Sequence, residues 1–442
     1  MSGETRKGAE SKVKWARLWA RAKQIVTTDP SGSDEDDLLV DEEAAKVLAT
    51  HAGRLKGGLA KVAQLAAYDP GATLGGRSGA TRSARAVLGG LWDHAPAVSA
   101  GAIAKVIEED LGRTPQALFA EWDPVPLASA SIGQVHAAVL ADGTQVVVKV
   151  QYPGVADALR ADLDDDTFLR KLAGSEVGRS LDEDALAALR DAVRGELDYR
   201  AEAAACTQFA EAWKDHRVLR FPRVIGELST SRVLTMTRAK GKTLVEAAGV
   251  GSPDVRRQAA LAIYEVSWGS PLAHGLLNAD PNPGNFLIDE QSDGAIHLWA
   301  LDFGCAFAIG DEVRDADREI FWGLLDDDNA SAAERFRMGL ARAGLLKRAD
   351  LLASTAHRDW ERALAAPLTT HGEFHWSPSY ATDLASATGR VLAIGGMALP
   401  AKVLMLWRQR LGAAAVIGML DARAPFRRVL VDLIGNGRKA LR

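Results

Sequence analysis

A chain of 442 residues is long enough for two or three domains. Its apolar fraction of 47% and charged fraction of 25% are those of a globular protein with a sizeable core. A net charge of −5 argues against a general nucleic-acid binder, which is usually basic. The two cysteines, Cys206 and Cys305, form neither a disulfide framework nor a close-spaced metal motif, so a reducing, cytoplasmic setting is expected.

The first residues are charged and no apolar stretch of leader type follows them, so no secretory signal is expected. Within residues 1–28, the run KVKWARLWARAKQIV has helical spacing. Trp15, Leu18, Trp19, Ala22, Ile25 and Val26 share one face, and Lys12, Lys14, Arg17, Arg21 and Lys23 occupy much of the rest. Such a helix either lies on an anionic membrane surface or packs its apolar stripe on the protein's own body. Residues 29–40 read as an acidic, turn-rich linker, and residues 41–125 are expected to be a helical extension with a break at DPGATLGGRSGATRSA.

The character of the chain changes at Pro126. A strand-like run, the turn pair Asp142-Gly143 and a second strand, QVVVKVQ, predict a hairpin. A long helical stretch follows Pro153 to about Asp215, then FPRVIGELSTSRVLTMT reads as two strands around a turn. From Ser252 the chain is mainly helical, apart from the strand pair NFLIDE and IHLWALDFG. The most apolar stretch, from Leu392, is interrupted by Pro400, Lys402, Arg408 and Arg410 and reads as a buried helical pair rather than a membrane span. Helices, a small antiparallel sheet and helices again make an α+β pattern.

A phosphoryl-transfer site needs a lysine on the nucleotide phosphates, a carboxylate to orient it, a loop over the phosphates, an acid at the reacting hydroxyl and magnesium ligands. The chain offers these in a consistent order. Lys149 sits in the otherwise apolar strand VVVKV, where a buried ammonium requires an anion; the competing reading is a lysine at a sheet edge. The segment GELDYRAE carries Glu196, Asp198 and Glu202. On a helix Asp198 and Glu202 share a face while Glu196 points elsewhere, so the segment can serve two basic partners or simply be an acidic surface. Asp280 and Asn285 have the Asp-x4-Asn spacing of a kinase catalytic loop, in which the Asp handles the substrate proton and the Asn binds magnesium. Asp302, Phe303 and Gly304 form a DFG triplet after an apolar strand, and its Asp would hold the metal. Any one of these is weak; together, in kinase order, they are specific. A glycine-rich loop is missing. In its place PLASASIGQVH has Ala128, Ser129, Ala130, Ser131 and only Gly133 as glycine. A segment reading adenine is expected around Met236 to Lys240, on order alone. His136, His274 and Cys305 read as structural.

The loop PLASASIGQVH, together with DPNPGNF and LDFG, resembles the UbiB/AarF (ADCK-type) atypical kinases, which share a protein-kinase-like two-lobed fold and replace the glycine-rich loop with an alanine-rich one. The resemblance runs from about Leu55 to at least Gly310. It implies a sheet-containing lobe over residues 126–240 and a mainly helical lobe over 241–442. The family's Lys-x-Gly-Gln motif stands here as KVAQ, with Lys61, Gln64 and an alanine, Ala63, in place of the glycine. By resemblance Lys61 pairs with Glu196 and Asp198 across the peptide site, Lys149 pairs with Glu202, Asp280 is the catalytic acid, and Asn285 and Asp302 hold Mg2+ beside ATP or ADP. Family members are linked to ubiquinone or other isoprenoid-lipid metabolism, more as ATPases than as protein kinases. The expectation is therefore a magnesium-dependent atypical kinase or ATPase with a lipid or quinone-precursor ligand and peripheral membrane contact through the N-terminal helix. Two rivals remain: a nucleotide-binding regulatory or scaffold protein, and a small-molecule phosphotransferase.

Overall fold

The computed structural model describes residues 98–130, 132–156, 183–195, 197–280, 282–326 and 329–438. The Trp15/Trp19 helix, Lys61, Gln64, Ser131 and Glu196 lie outside them. Helix α1 (Ala100–Leu111) opens on Ser99, whose hydroxyl accepts from the Ala102 amide, and closes on Gly112 in the left-handed conformation. It buries Ile103, Val106 and Ile107, packs against the first sheet, and is followed by the short α2 (Pro115–Leu118).

That sheet has the order β1-β2-β3-β5, with β1 (Glu121–Ser129), β2 (Gly133–Val139), β3 (Gln145–Gln151) and β5 (Val233–Thr237) all antiparallel to their neighbours. The expected hairpin joins β2 to β3: the Asp142 carboxylate accepts from the Thr144 amide at 2.9 Å and Gly143 takes φ +84°. Strand β1 begins at Glu121, ahead of Pro126. Pro124 and Pro126 cannot donate to a ladder, which suits an edge strand, and the pairing with β2 shifts register on either side of Pro126. On β3, Val146, Val148 and Val150 are fully buried on one face while Lys149 points to the other.

The helical stretch expected up to Asp215 is, among the described residues, two helices: α3 (Glu183–Gly195) and α4 (Tyr199–Ala212). Asp198 lies between them with extended backbone, and its carboxylate caps α4 by accepting from the Arg200 amide at 2.9 Å. Asp198 and Glu202 therefore do not share a helix face: Asp198 is exposed at the cap and Glu202 is buried in the first turn. The expected strand pair in FPRVIGELSTSRVLTMT is a single strand, β5, with an isolated bridge from Val224 to Met236.

The rest of the chain builds the helical lobe. A second sheet has the order β4-β9-β8-β6, from β4 (Leu219–Arg220), β6 (Lys242–Thr243), β8 (Phe286–Glu290) and β9 (Ile296–Ala300), and β7 (Leu276–Asn278) pairs with β10 (Ala306–Ala308). Around them stand α5 (Leu244–Val250), α6 (Pro253–Tyr264), a π-helical turn (Glu265–Gly269) and α7 (Ser270–His274). Then follow α8 (Asp311–Leu325), α9 (Asn329–Arg342), α10 (Thr355–Thr369), α11 (Pro378–Ala393), α12 (Ala401–Met419) and α13 (Phe426–Arg438), with β11 (Phe374–Trp376) and β12 (Ala422–Ala424) paired between them. The apolar stretch from Leu392 is the end of α11, a turn and α12. No helix among the described residues is long and apolar enough to cross a membrane. Arg410 of α12 is buried in an ion pair with Asp317 of α8 and lies over the rings of Trp268, Phe321 and Trp407. A cation there is tolerated because it is paired and stacked.

Candidate active site

Lys149 is the centre of the site. Its Nζ donates to both Glu202 carboxylate oxygens, at 2.8 and 2.9 Å, and to Asp302 Oδ2 at 3.2 Å. The sheet supplies the lysine, the first turn of α4 the glutamate, and the segment after β9 the aspartate. Lys149 is 8% exposed and Glu202 3%. Burial is the largest influence on the Lys149 ammonium and acts to lower its pKa; Asp302 and Glu202 together outweigh it and hold the group well above its ordinary value. The lysine is therefore charged across the physiological range. Four residues after Glu202 on α4, burial pushes the Cys206 thiol up to about 12, which makes it an inert core thiol.

Asp302 is fixed at both ends. Its Oδ1 accepts from the Gly304 amide at 2.9 Å, and its backbone carbonyl accepts from Asn278 Nδ2 at 2.8 Å. Phe303 is 1% exposed and packs between Phe209 of α4 and Phe221, with ring centroids 5.2 and 5.9 Å away. The triplet is thus held under α4 with its carboxylate turned to Lys149.

The turn residues of NADPNPGN shape the loop around Asp280. Asn278 Oδ1 accepts from the Asp280 amide at 3.2 Å. Asn282 Oδ1 accepts from the Gly284 amide at 2.8 Å and opens the 3-10 turn Pro283–Asn285. Asn285 Nδ2 donates to the Asp280 carbonyl at 3.0 Å, which leaves its Oδ1 as the acceptor of that amide. Asn278, Asp280, Asn285 and Asp302 line one cleft, walled by Phe209, Val266, Phe286, Leu301 and Phe303 among others, with about 330 Å³ of open space.

Sequence reasoning missed two residues here. Asn278 ties the loop to the DFG segment by both ends of its amide. Arg408 of α12 brings Nη2 to 3.8 Å from Asp280 Oδ1, with side chains of both residues largely buried. Its Nη1 is buried and makes no hydrogen bond. The only sequence signal for it was a cation inside an apolar helix.

Of the alanine-rich segment, Ala128 and Ser129 end β1 and Ala130 stands at the β1–β2 turn. Ala128 pairs with Val135 and Ser129 with Gln134, and Ala130 and Gly133 exchange backbone hydrogen bonds of 2.8 and 3.4 Å. Gly133 abuts the lysine strand: a Cβ there would meet the Val150 carbonyl oxygen at 2.3 Å and the Tyr199 hydroxyl at 2.9 Å. Backbone cannot yield as a side chain does. Gly133→Ala is expected to destabilise the protein by about 1–3 kcal/mol, read as a lower midpoint in thermal or denaturant unfolding. Met236 lies inside β5, 5% exposed and paired with Val147, at the near edge of the 238–241 connector to β6. His136 is a core residue, stacked on Trp122 at 4.8 Å with Nδ1 3.0 Å from the Asp123 carbonyl.

Any metal here would be held by oxygen. Among the described residues no three His, Cys, Asp or Glu side chains gather as a protein-only cage. The donors present, the Asp302 carboxylate and Asn285 Oδ1, are hard oxygens facing one cleft. They fit magnesium, which takes one or two protein ligands and completes its shell with phosphate and water.

A lysine–glutamate pair, a DFG aspartate and an Asp-x4-Asn loop on two lobes are the arrangement of a protein-kinase-like fold. The chain belongs to the ABC1 atypical kinase-like domain family, whose model matches residues 90–336; this is the UbiB/AarF (ADCK-type) group. It is 38% identical over 224 residues to the atypical kinase COQ8B, mitochondrial, of Rattus norvegicus, covering 51% of this chain and 42% of that protein. It is 35% identical over 292 residues to the uncharacterized protein Rv0647c of Mycobacterium tuberculosis, covering 63% of this chain and 57% of that one. The chain thus spans about half the length of these curated relatives. A solved structure, the Rv3197–erythromycin complex from Mycobacterium tuberculosis, matches with a TM-score of 0.57 at 27% identity, covering 91% of this chain and 98% of that one.

Proposed function

We propose that this protein binds ATP with magnesium and acts as an atypical kinase or ATPase in isoprenoid-quinone or other lipid metabolism. One observation carries the reading: Lys149 holds Glu202 and Asp302 at once, while Asp280 and Asn285 face the same cleft as Asp302. In this reading Lys149, oriented by Glu202, receives the nucleotide phosphates. Asp302 and Asn285 hold the metal, which when bound neutralises charge on the transferring phosphoryl group. Asp280 takes the proton of the attacking hydroxyl or water. The β1–β2 turn, from Ala128 to Gly133, closes over the phosphates, and the connector after Met236 meets the base. Lys61, Gln64, Glu196 and Asp198 form a gate over the peptide site, which favours a small or lipid acceptor over a protein. The lobes divide at residue 240, with the lipid assignment resting on family resemblance and membrane contact on the N-terminal helix.

The catalytic loop between Asp280 and Asn285 contains no cation. In this reading Arg408 supplies one from α12. Arg408→Met is expected to lower turnover on the order of 10²-fold, with a smaller change in nucleotide affinity, as for loss of one charge-stabilising donor. Unchanged single-turnover rates would remove Arg408 from the reaction.

The test of the function is phosphate release from ATP with magnesium, with and without liposomes carrying an isoprenoid phenol, for the native protein and Asp302→Asn. Turnover that rises with lipid and vanishes in the variant supports the proposal. Nucleotide binding without turnover under any condition leaves a regulatory binder.

A further inference from the structure

Helix α4 is tied to the site at both ends. Glu202, in its first turn, holds Lys149. At its far end Trp213, 6% exposed, donates from Nε1 to Ser270 Oγ at 2.7 Å in a fully buried contact. The same ring meets His274 edge-on at a centroid distance of 4.9 Å. Three residues on, His216 Nδ1 accepts from the Val218 and Leu219 amides at 3.1 and 2.9 Å, so its proton sits on Nε2, which donates to Glu265 at 3.0 Å.

The partners of this latch are not scattered. Glu265 opens the π-helical turn and Ser270 follows its end, so the two bonds bracket Val266 and Ser267, which line the cleft. Single π turns recur at functional sites because they re-aim side chains. Ser270 and His274 are the first and last residues of α7, which runs through Gly275 and β7 into the loop of Asp280. A helix rises about 1.5 Å per residue, so Glu202 and Trp213 are roughly 16 Å apart.

We infer that Trp213, through its hydrogen bond to Ser270, is a positioning residue that sets the Lys149–Glu202 pair against the catalytic loop. Helix α4 then acts as a strut: the lysine's partner and the loop's root move as one body. This rests on the reading of Lys149 and Glu202 as the nucleotide-holding pair.

The test uses the full chain with Trp213→Phe, which keeps a ring and removes the donor, and Ser270→Ala, which removes the acceptor. Two readouts are taken: amide hydrogen exchange over 199–212, and Mg-ATP affinity in the native and Glu202→Gln backgrounds. Both variants should speed exchange over 199–212. Each should weaken Mg-ATP binding roughly fivefold in the native background, the worth of one neutral hydrogen bond, and by less than about twofold beside Glu202→Gln. Sites this far apart are additive unless coupled, so equal losses in both backgrounds, or unchanged exchange over 199–212, overturn the inference. If Trp213→Phe fails to fold, Ser270→Ala decides alone. If the native protein binds no nucleotide, the proposed function fails, and the exchange readout by itself decides the strut.

Discussion

Asp280→Asn is expected to cut turnover sharply while leaving nucleotide binding in place. The change is isosteric; it removes the carboxylate's ability to take a proton, together with the charge it presents to Arg408 3.8 Å away. General-base assistance of this kind contributes about 10²–10⁴-fold, and a loss of that size in phosphate release is predicted. The loop should survive, because its ties run through the backbone: the Asp280 carbonyl accepts from Asn285 Nδ2, and its amide donates to Asn278. Lys149, Glu202 and Asp302, the proposed nucleotide-holding residues, are untouched. Equal loss of affinity and turnover would point to a collapsed loop instead, and intact turnover would remove Asp280 from the chemistry.

Lys149→Met is expected to have a second large effect, on stability as well as binding. It strips the cation from two carboxylates, one of them 3% exposed in its side chain. Removing one partner of a buried pair costs about 3–5 kcal/mol because the remaining charge stays buried. Thermal unfolding should show a clear drop, and Mg-ATP affinity should be lost. The double variant Lys149→Met/Glu202→Met should recover much of the stability and none of the binding. If it recovers neither, the pair is not what the site's stability depends on. The pH dependence follows from the sign of the shift. The Lys149 pKa is raised, so its stabilisation is fully present below the unfolded value, about 10.4, and is lost only as pH rises through the higher folded value. Between about pH 6 and 9 the lysine should contribute no pH dependence to stability.

The parts of the site that were legible share one property: each is a short spacing within one strand or loop. Lys149 stood out because a lysine in VVVKV must be partnered. Asp280, Asn285 and Asp302 stood out because six-residue and three-residue patterns survive without knowledge of the fold. The turn at Asp142-Gly143 and the strands β8 and β9 were legible for the same reason. The helix expected across Asp198 was not, because an Asp that caps one helix and an Asp inside another look alike in sequence. Strand β1 was read as starting too late because its prolines suppress a strand signal that an edge position tolerates.

The sequence by itself determined the α+β pattern and the spaced motifs at Lys149, Asp280, Asn285 and Asp302, since alternation, turn chemistry and motif spacing are local; the two-lobed fold and the family followed from the resemblance those motifs carry. Only the tertiary structure decided which of those residues meet. It brought Glu202 and Asp302 to one ammonium, packed Phe303 beneath α4, and turned Arg408 toward Asp280 while its near neighbour Arg410 was buried against Asp317. Helix α12 is buried on several sides, so its residues 408, 409 and 410 each face a different neighbour. Which neighbour each one meets depends on how helices far apart in the chain pack, and no local pattern encodes that.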